Sequence, residues 1–194
     1  MAEIESILTR LSKIFAIIPL RYVVVGGIAV IHYGHVRTTQ DIDLIIEDNP
    51  TLFPQFLLLL ETYEFDVMEE QFKKAYQEKT NVSIFDEKSV LRLDIKVATK
   101  KRELEVLNNA IENTLFGNNL YIAPIEYVLI GKIVYMGKIS DIPPSELLEF
   151  QDCIDFLTLF YANEEEIDVT FLKEKANEMN LEASLEKLLS IKLE

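Results

Sequence analysis

The chain has 194 residues, 49% of them hydrophobic, and a formal net charge of −14 at pH 7, which is enough chain to bury a core and too much apolar content for general disorder. Its single cysteine, Cys153, excludes an intramolecular disulfide, and no apolar run approaches the roughly 18 residues a membrane span needs. With an opening, MAEIESILTRLSKIF, that lacks the basic-then-apolar profile of a secretory signal, the expectation is a soluble cytoplasmic protein with no membrane partner. The charge is uneven: +2 over residues 1–40, −9 over 41–87, +3 over 88–138 and −10 over 139–194. The last segment is therefore a poor surface for a polyanion, whereas 88–138 could hold one locally.

In chain order, Ile4, Ile7, Leu8, Leu11, Phe15 and Ile18 form a helical stripe that Pro19 ends. YVVVGG at 22–27 is a short β-branched run closed by two glycines, the pattern of a buried strand entering a tight turn, and IAVIHYGH after it fits a short helix. Residues 40–46 read as a second strand, stopped by Asp48-Asn49-Pro50. A helix fits 51–63, with Phe53, Phe56, Leu57 and Leu60 on one face. Residues 82–85 and 90–98 read as a hairpin; on its second strand Val90, Arg92, Asp94 and Lys96 share one face and Leu91, Leu93, Ile95 and Val97 the other. Beyond Lys100 the pattern predicts helices to the end, over 125–136, 144–161 and 169–193, with an extended piece at 119–124. The expected plan is α+β, a short mixed sheet flanked by helices over residues 1–120 and a helical region over 121–194.

The segment RTTQDIDLII (37–46) poses the chemical question. Residues two apart in a strand point the same way, so Asp41 and Asp43 share a face roughly 6.5–7 Å apart along the chain. Burying ionised acids without a partner costs several kcal/mol, and carboxylates so placed can converge on a hard divalent cation. Asp94, a third acid on a polar-faced strand, would complete a site for one or two Mg²⁺ ions, an arrangement suited to phosphoryl displacement. Upstream, Gly26 and Gly27 lack the Cβ atoms that would keep backbone N–H groups from a phosphate.

These stretches resemble the DNA polymerase beta-like nucleotidyltransferases. More narrowly, VVVGGIAVIHYGHVRTTQDIDLII is similar to the minimal nucleotidyltransferase domain of AbiEii-type toxins and their relatives. The resemblance implies a nucleotidyltransferase fold with a C-terminal helical bundle. It assigns Gly26 and Gly27 to a triphosphate-binding turn, and Asp41, Asp43 and Asp94 to a catalytic, Mg²⁺-binding triad. Arg37 and Thr39 match the residues that precede the acids, and the resemblance assigns both to nucleotide binding. IAPIEYVLIGKIVYMGKISDIPPSELLEFQDCIDFL resembles the family's helical part, where Lys132 matches a lysine that meets the nucleotide phosphates and Asp152 and Asp155 match a following element. The implied partners are an NTP, an acceptor hydroxyl on RNA, protein or a small molecule, and, in a toxin–antitoxin setting, a cognate antitoxin. A non-catalytic module on the same fold, binding nucleotide or a partner, is the alternative. The chain departs from the superfamily's usual Gly-Ser, having no serine after Gly27 and 13 residues, 28–40, before Asp41.

Blander roles compete at several positions. Arg92 or Lys96 could simply pair with Asp94, Arg37 could bind phosphate or brace the Asp41–Asp43 strand, and Lys132 could reach solvent from an apolar helix. His32 and His35, with no further ligands in sight, read as structural. Cys153 reads as a small buried side chain, Lys100-Lys101-Arg102 as a solvated helix start, and Glu164-Glu165-Glu166 as a solvated loop or helix start.

Overall fold

The computed structural model describes residues 2–192. It divides into two compact units: residues up to 28 with Thr38–Pro124, and Ala29–Arg37 with the chain from 125 onward. No helix among the described residues is long and apolar enough to cross a membrane.

The first unit holds a seven-stranded mixed sheet of β1 (Tyr22–Val25), β2 (Asp41–Ile46), β3 (Phe65–Asp66), β4 (Val82–Asp86), β5 (Arg92–Val97), β6 (Ile111–Leu115) and β7 (Asn118–Ile122), in the order β3-β4-β5-β2-β1-β7-β6. β2 lies antiparallel to β1 and parallel to β5, with Asp43 opposite Val25 on one side and Asp94 on the other. The alternation read from the sequence is what the sheet uses: Ile42, Leu44 and Ile46 on β2 and Leu93, Ile95 and Val97 on β5 are buried, while Asp41, Asp43, Arg92 and Asp94 stand on the partly exposed face. Helices α1 (Ala2–Ile17), α3 (Phe53–Thr62), α4 (Glu69–Glu78) and α5 (Lys101–Asn108) complete the unit. Phe15 of α1 stacks on both Tyr22 and Phe56, with ring centroids 3.5 and 5.8 Å away. Arg10 on α1 reaches the Asp86 carboxylate (2.6 Å) and lies over the Phe65 ring, tying the first helix to the β3–β4 edge.

The short helix α2 (Gly26–His32) follows β1 directly, so the glycine pair opens the helix instead of forming a separate turn. The second unit contains α6 (Ile125–Met136), α7 (Pro144–Leu147), α8 (Gln151–Ala162), α9 (Val169–Glu178) and α10 (Glu182–Leu189), with α6 packed on α8 and on α9.

Several expected boundaries change. β6, β3 and α4 were absent from the sequence reading. β6 pairs with β7 as a hairpin whose turn, Phe116-Gly117, has positive φ at both residues (47° and 78°), a turn geometry usually signalled by Asn-Gly. The helix expected over 144–161 breaks before Gln151, where Phe150 is extended. The helix expected over 169–193 breaks at Asn180, which takes the left-handed conformation (φ 57°) that asparagine tolerates; residue 193 lies outside the described residues.

Candidate active site

Asp41 and Asp43 start β2, and the parallel register sets Asp94 of β5 beside Asp43 and Arg92 beside Asp41. Across the antiparallel β4–β5 pair, Ser83 stands opposite Asp94. Residues paired in this way share a face, so one sheet surface carries three carboxylates, one guanidinium and one hydroxyl. Thr39 Oγ1 donates to Asp41 Oδ1 (2.9 Å), and Ser83 Oγ donates to Asp94 Oδ1 (2.5 Å). Each of these two acids is thus fixed by a neighbouring hydroxyl.

Gly26 is required here for two separate reasons. Its φ is +62°, a conformation that disfavours any Cβ, and a Cβ at that position would fall 1.9 Å from Asp43 Oδ2. The space freed by the missing side chain is occupied by the Asp43 carboxylate. Gly27, the next residue, is buried in the first turn of α2.

Arg92 supplies the positive charge on this face. Its Nη2 donates to Asp41 Oδ2 (3.0 Å), and its Nε lies 3.1 and 3.2 Å from the two Asp94 oxygens. The Asp94 hydrogen bond and charge, followed by the charges of Asp41 and Asp43, raise its pKa further, so the guanidinium stays charged at every ordinary pH. Lys96, on the same face, pairs instead with buried Glu103 on α5 (3.1 Å). One arginine therefore pairs with two of the three acids. Among the described residues no three His, Cys, Asp or Glu side chains are gathered tightly enough to hold a metal ion as they stand. The donor set of carboxylate oxygens nevertheless suits a hard cation such as Mg²⁺, with Arg92 neutralising two of the three acids in its place.

The remaining sequence-derived residues lie in the second unit. Lys132 on α6 is buried, with Nζ 2.6 Å from Asp155 Oδ2 and 2.8 Å from Asp152 Oδ1 on α8. Arg37 Nε lies 3.3 Å and His35 Nδ1 3.0 Å from Asp155 Oδ1, and Gln151 Nε2 donates to the same oxygen (2.8 Å). Asp155 is wholly buried. Burial also lowers the His32 pKa and raises that of the Cys153 thiol, leaving a thiol rather than a thiolate at Cys153. The sequence reading did not single out Ser83 or Gln151: Ser83 becomes meaningful only through the cross-strand register.

No family model matches the chain, and no curated protein matches it. Among solved structures, the antibiotic-resistance factor ANT(2'')-Ia is similar at 15% identity and a TM-score of 0.60, covering 96% of this chain and 97% of that one. An antigenic nucleotidyltransferase-like protein from Paracoccidioides brasiliensis is similar at 16% identity and a TM-score of 0.57, covering 100% and 94%. The chain has a nucleotidyltransferase fold, a mixed sheet flanked by helices, as the resemblance in the sequence implied.

Proposed function

We propose that this chain transfers a nucleoside monophosphate from an NTP to an acceptor hydroxyl, releasing pyrophosphate. The observation that carries the proposal is the register of Asp41 and Asp43 on β2 with Asp94 on β5, completed by a glycine whose missing Cβ admits Asp43. Asp41, Asp43 and Asp94 would hold Mg²⁺, and a bound metal would supply charge neutralisation of the triphosphate. Asp94, whose Oδ1 accepts a hydroxyl hydrogen bond from Ser83, would take the acceptor's proton. Thr39 orients Asp41 through its hydroxyl. Arg37 and Lys132, which the resemblance assigns to nucleotide phosphates, are both held by Asp155 in the second unit, and the proposal does not depend on them. The −10 charge of residues 139–194 favours a small molecule or a protein hydroxyl over RNA as acceptor.

A second reading draws on Arg92. Where the guanidinium permanently takes the place of metal, the chain is a non-catalytic module that binds nucleotide or a partner. Offering each α-labelled NTP with Mg²⁺ to a cell extract separates the two. The wild type should move label into one acceptor class, and Asp43→Asn should lower transfer on the order of 10³-fold. Label that persists in Asp41→Ala/Asp43→Ala refutes the enzyme reading, and a wild type that neither transfers label nor binds Mg·NTP refutes both.

A further inference from the structure

Arg92 is the feature of this face that the reaction does not use. We propose that Arg92 is a displaceable counter-ion: it locks Asp41 to Asp94 when no metal is present, and a divalent cation must push it aside to reach them. This inference rests on the metal-binding role proposed above for the three acids.

The argument begins with charge. Asp41, Asp43 and Asp94 start two neighbouring strands, and like charges so placed repel unless a cation lies among them. Lys96 is withdrawn by Glu103, which leaves Arg92 to bridge Asp41 and Asp94. The bridge ties up one oxygen of Asp41 and both of Asp94. A metal ion and the guanidinium would draw on the same oxygens, so their binding is competitive.

Three observations indicate that the bridge opens by exchange. Arginine keeps its proton, so a change of pH within the ordinary range does not release it. The Arg92 side chain is 35% exposed, against 30% for that of Asp41 and 15% for that of Asp94, so it is the more open member of both pairs and the one free to swing outward. When it leaves, Asp41 and Asp94 do not lose their orientation, because Thr39 and Ser83 hold them independently of the arginine. An arginine whose task was to orient the acids would duplicate those two hydroxyls.

Mn²⁺, a spectroscopic stand-in for Mg²⁺, tests the lock directly. Free Mn²⁺ is counted by electron paramagnetic resonance during titration of wild type, Arg92→Gln and Asp43→Asn, all without nucleotide. Arg92→Gln should bind Mn²⁺ about tenfold more tightly than the wild type, equivalent to about 1.4 kcal/mol, and its melting temperature without metal should be lower than the wild type's. Adding Mn²⁺ should then raise the melting temperature of Arg92→Gln more than that of the wild type. Unchanged or weaker Mn²⁺ binding in Arg92→Gln, with binding still lost in Asp43→Asn, overturns the lock and leaves the metal site standing. Binding that is absent from the wild type and Arg92→Gln alike, or indifferent to Asp43→Asn, overturns the lock and the metal site together.

Discussion

Asp94 and Asp155 are both carboxylates met by arginine, yet their surroundings differ in charge and in depth. Asp94 stands on a partly exposed sheet face where it shares one guanidinium with Asp41. Asp155 has no exposed side-chain surface and gathers Lys132, Arg37, His35 and the Gln151 amide around itself. The sheet face offers partly exposed carboxylates to an added cation, whereas Asp155 is already supplied with cations and is itself fully buried. Within a single chain, the first arrangement suits ligand binding and the second suits holding helices together.

The largest effect should therefore fall on the second cluster. Asp155→Ala leaves Lys132 with only the half-exposed Asp152 and strips Arg37 of its buried partner, and should cost about 3–5 kcal/mol in urea unfolding. Asp94→Ala removes a partly exposed pair and should cost about 1 kcal/mol or less. Equal losses from the two substitutions would erase the distinction between them.

Gly26→Ala probes the sheet face from the backbone side. A left-handed conformation costs a residue with a Cβ roughly 1–2 kcal/mol, and the collision with Asp43 adds to this. The double variant Gly26→Ala/Asp43→Ala removes the carboxylate that stands 1.9 Å from the new Cβ. It should recover about 1 kcal/mol relative to the sum of the single losses, the non-additivity expected of residues in direct contact. Strict additivity in equilibrium unfolding would mean that Gly26 serves the left-handed backbone alone and not Asp43.

Legibility followed the physics of each element. β2 and β5 announced themselves because a half-buried strand alternates, and DIDL within RTTQDIDLII and LRLDIKV within VLRLDIKVA do so. β6 was hidden because IENTL is mostly exposed and its turn uses Phe-Gly, while α4 buries only Phe72 and Ala75 and leaves a weak stripe. At the site, the three acids were readable from spacing and resemblance. That Arg92 reaches Asp41 across 51 positions was not, because the pairing exists only once β2 and β5 are set in register. Arg37 shows the same limit: it precedes the acids in sequence, yet its guanidinium is held by Asp155, 118 positions away.

Glu103 offers the finest contrast, being buried like Asp155 but paired with a single lysine from the carboxylate face. Burial alone would push its pKa up. The Lys100 N–H, the Lys96 ammonium and the Thr99 N–H outweigh burial and hold it below the ordinary 4.5. Because the folded pKa is the lower one, the stabilisation is fully present above about pH 4.5 and is lost as pH falls through the folded value. Glu103→Gln should thus cost about 1 kcal/mol near neutral pH, the scale of hydrogen bonds to a charged group offset by its burial. In paired urea titrations the gap to wild type should stay flat from pH 6 to 8 and close below pH 4.5. A gap that widened toward acid would mean that burial, and not Lys96 with the two N–H groups, governs this carboxylate.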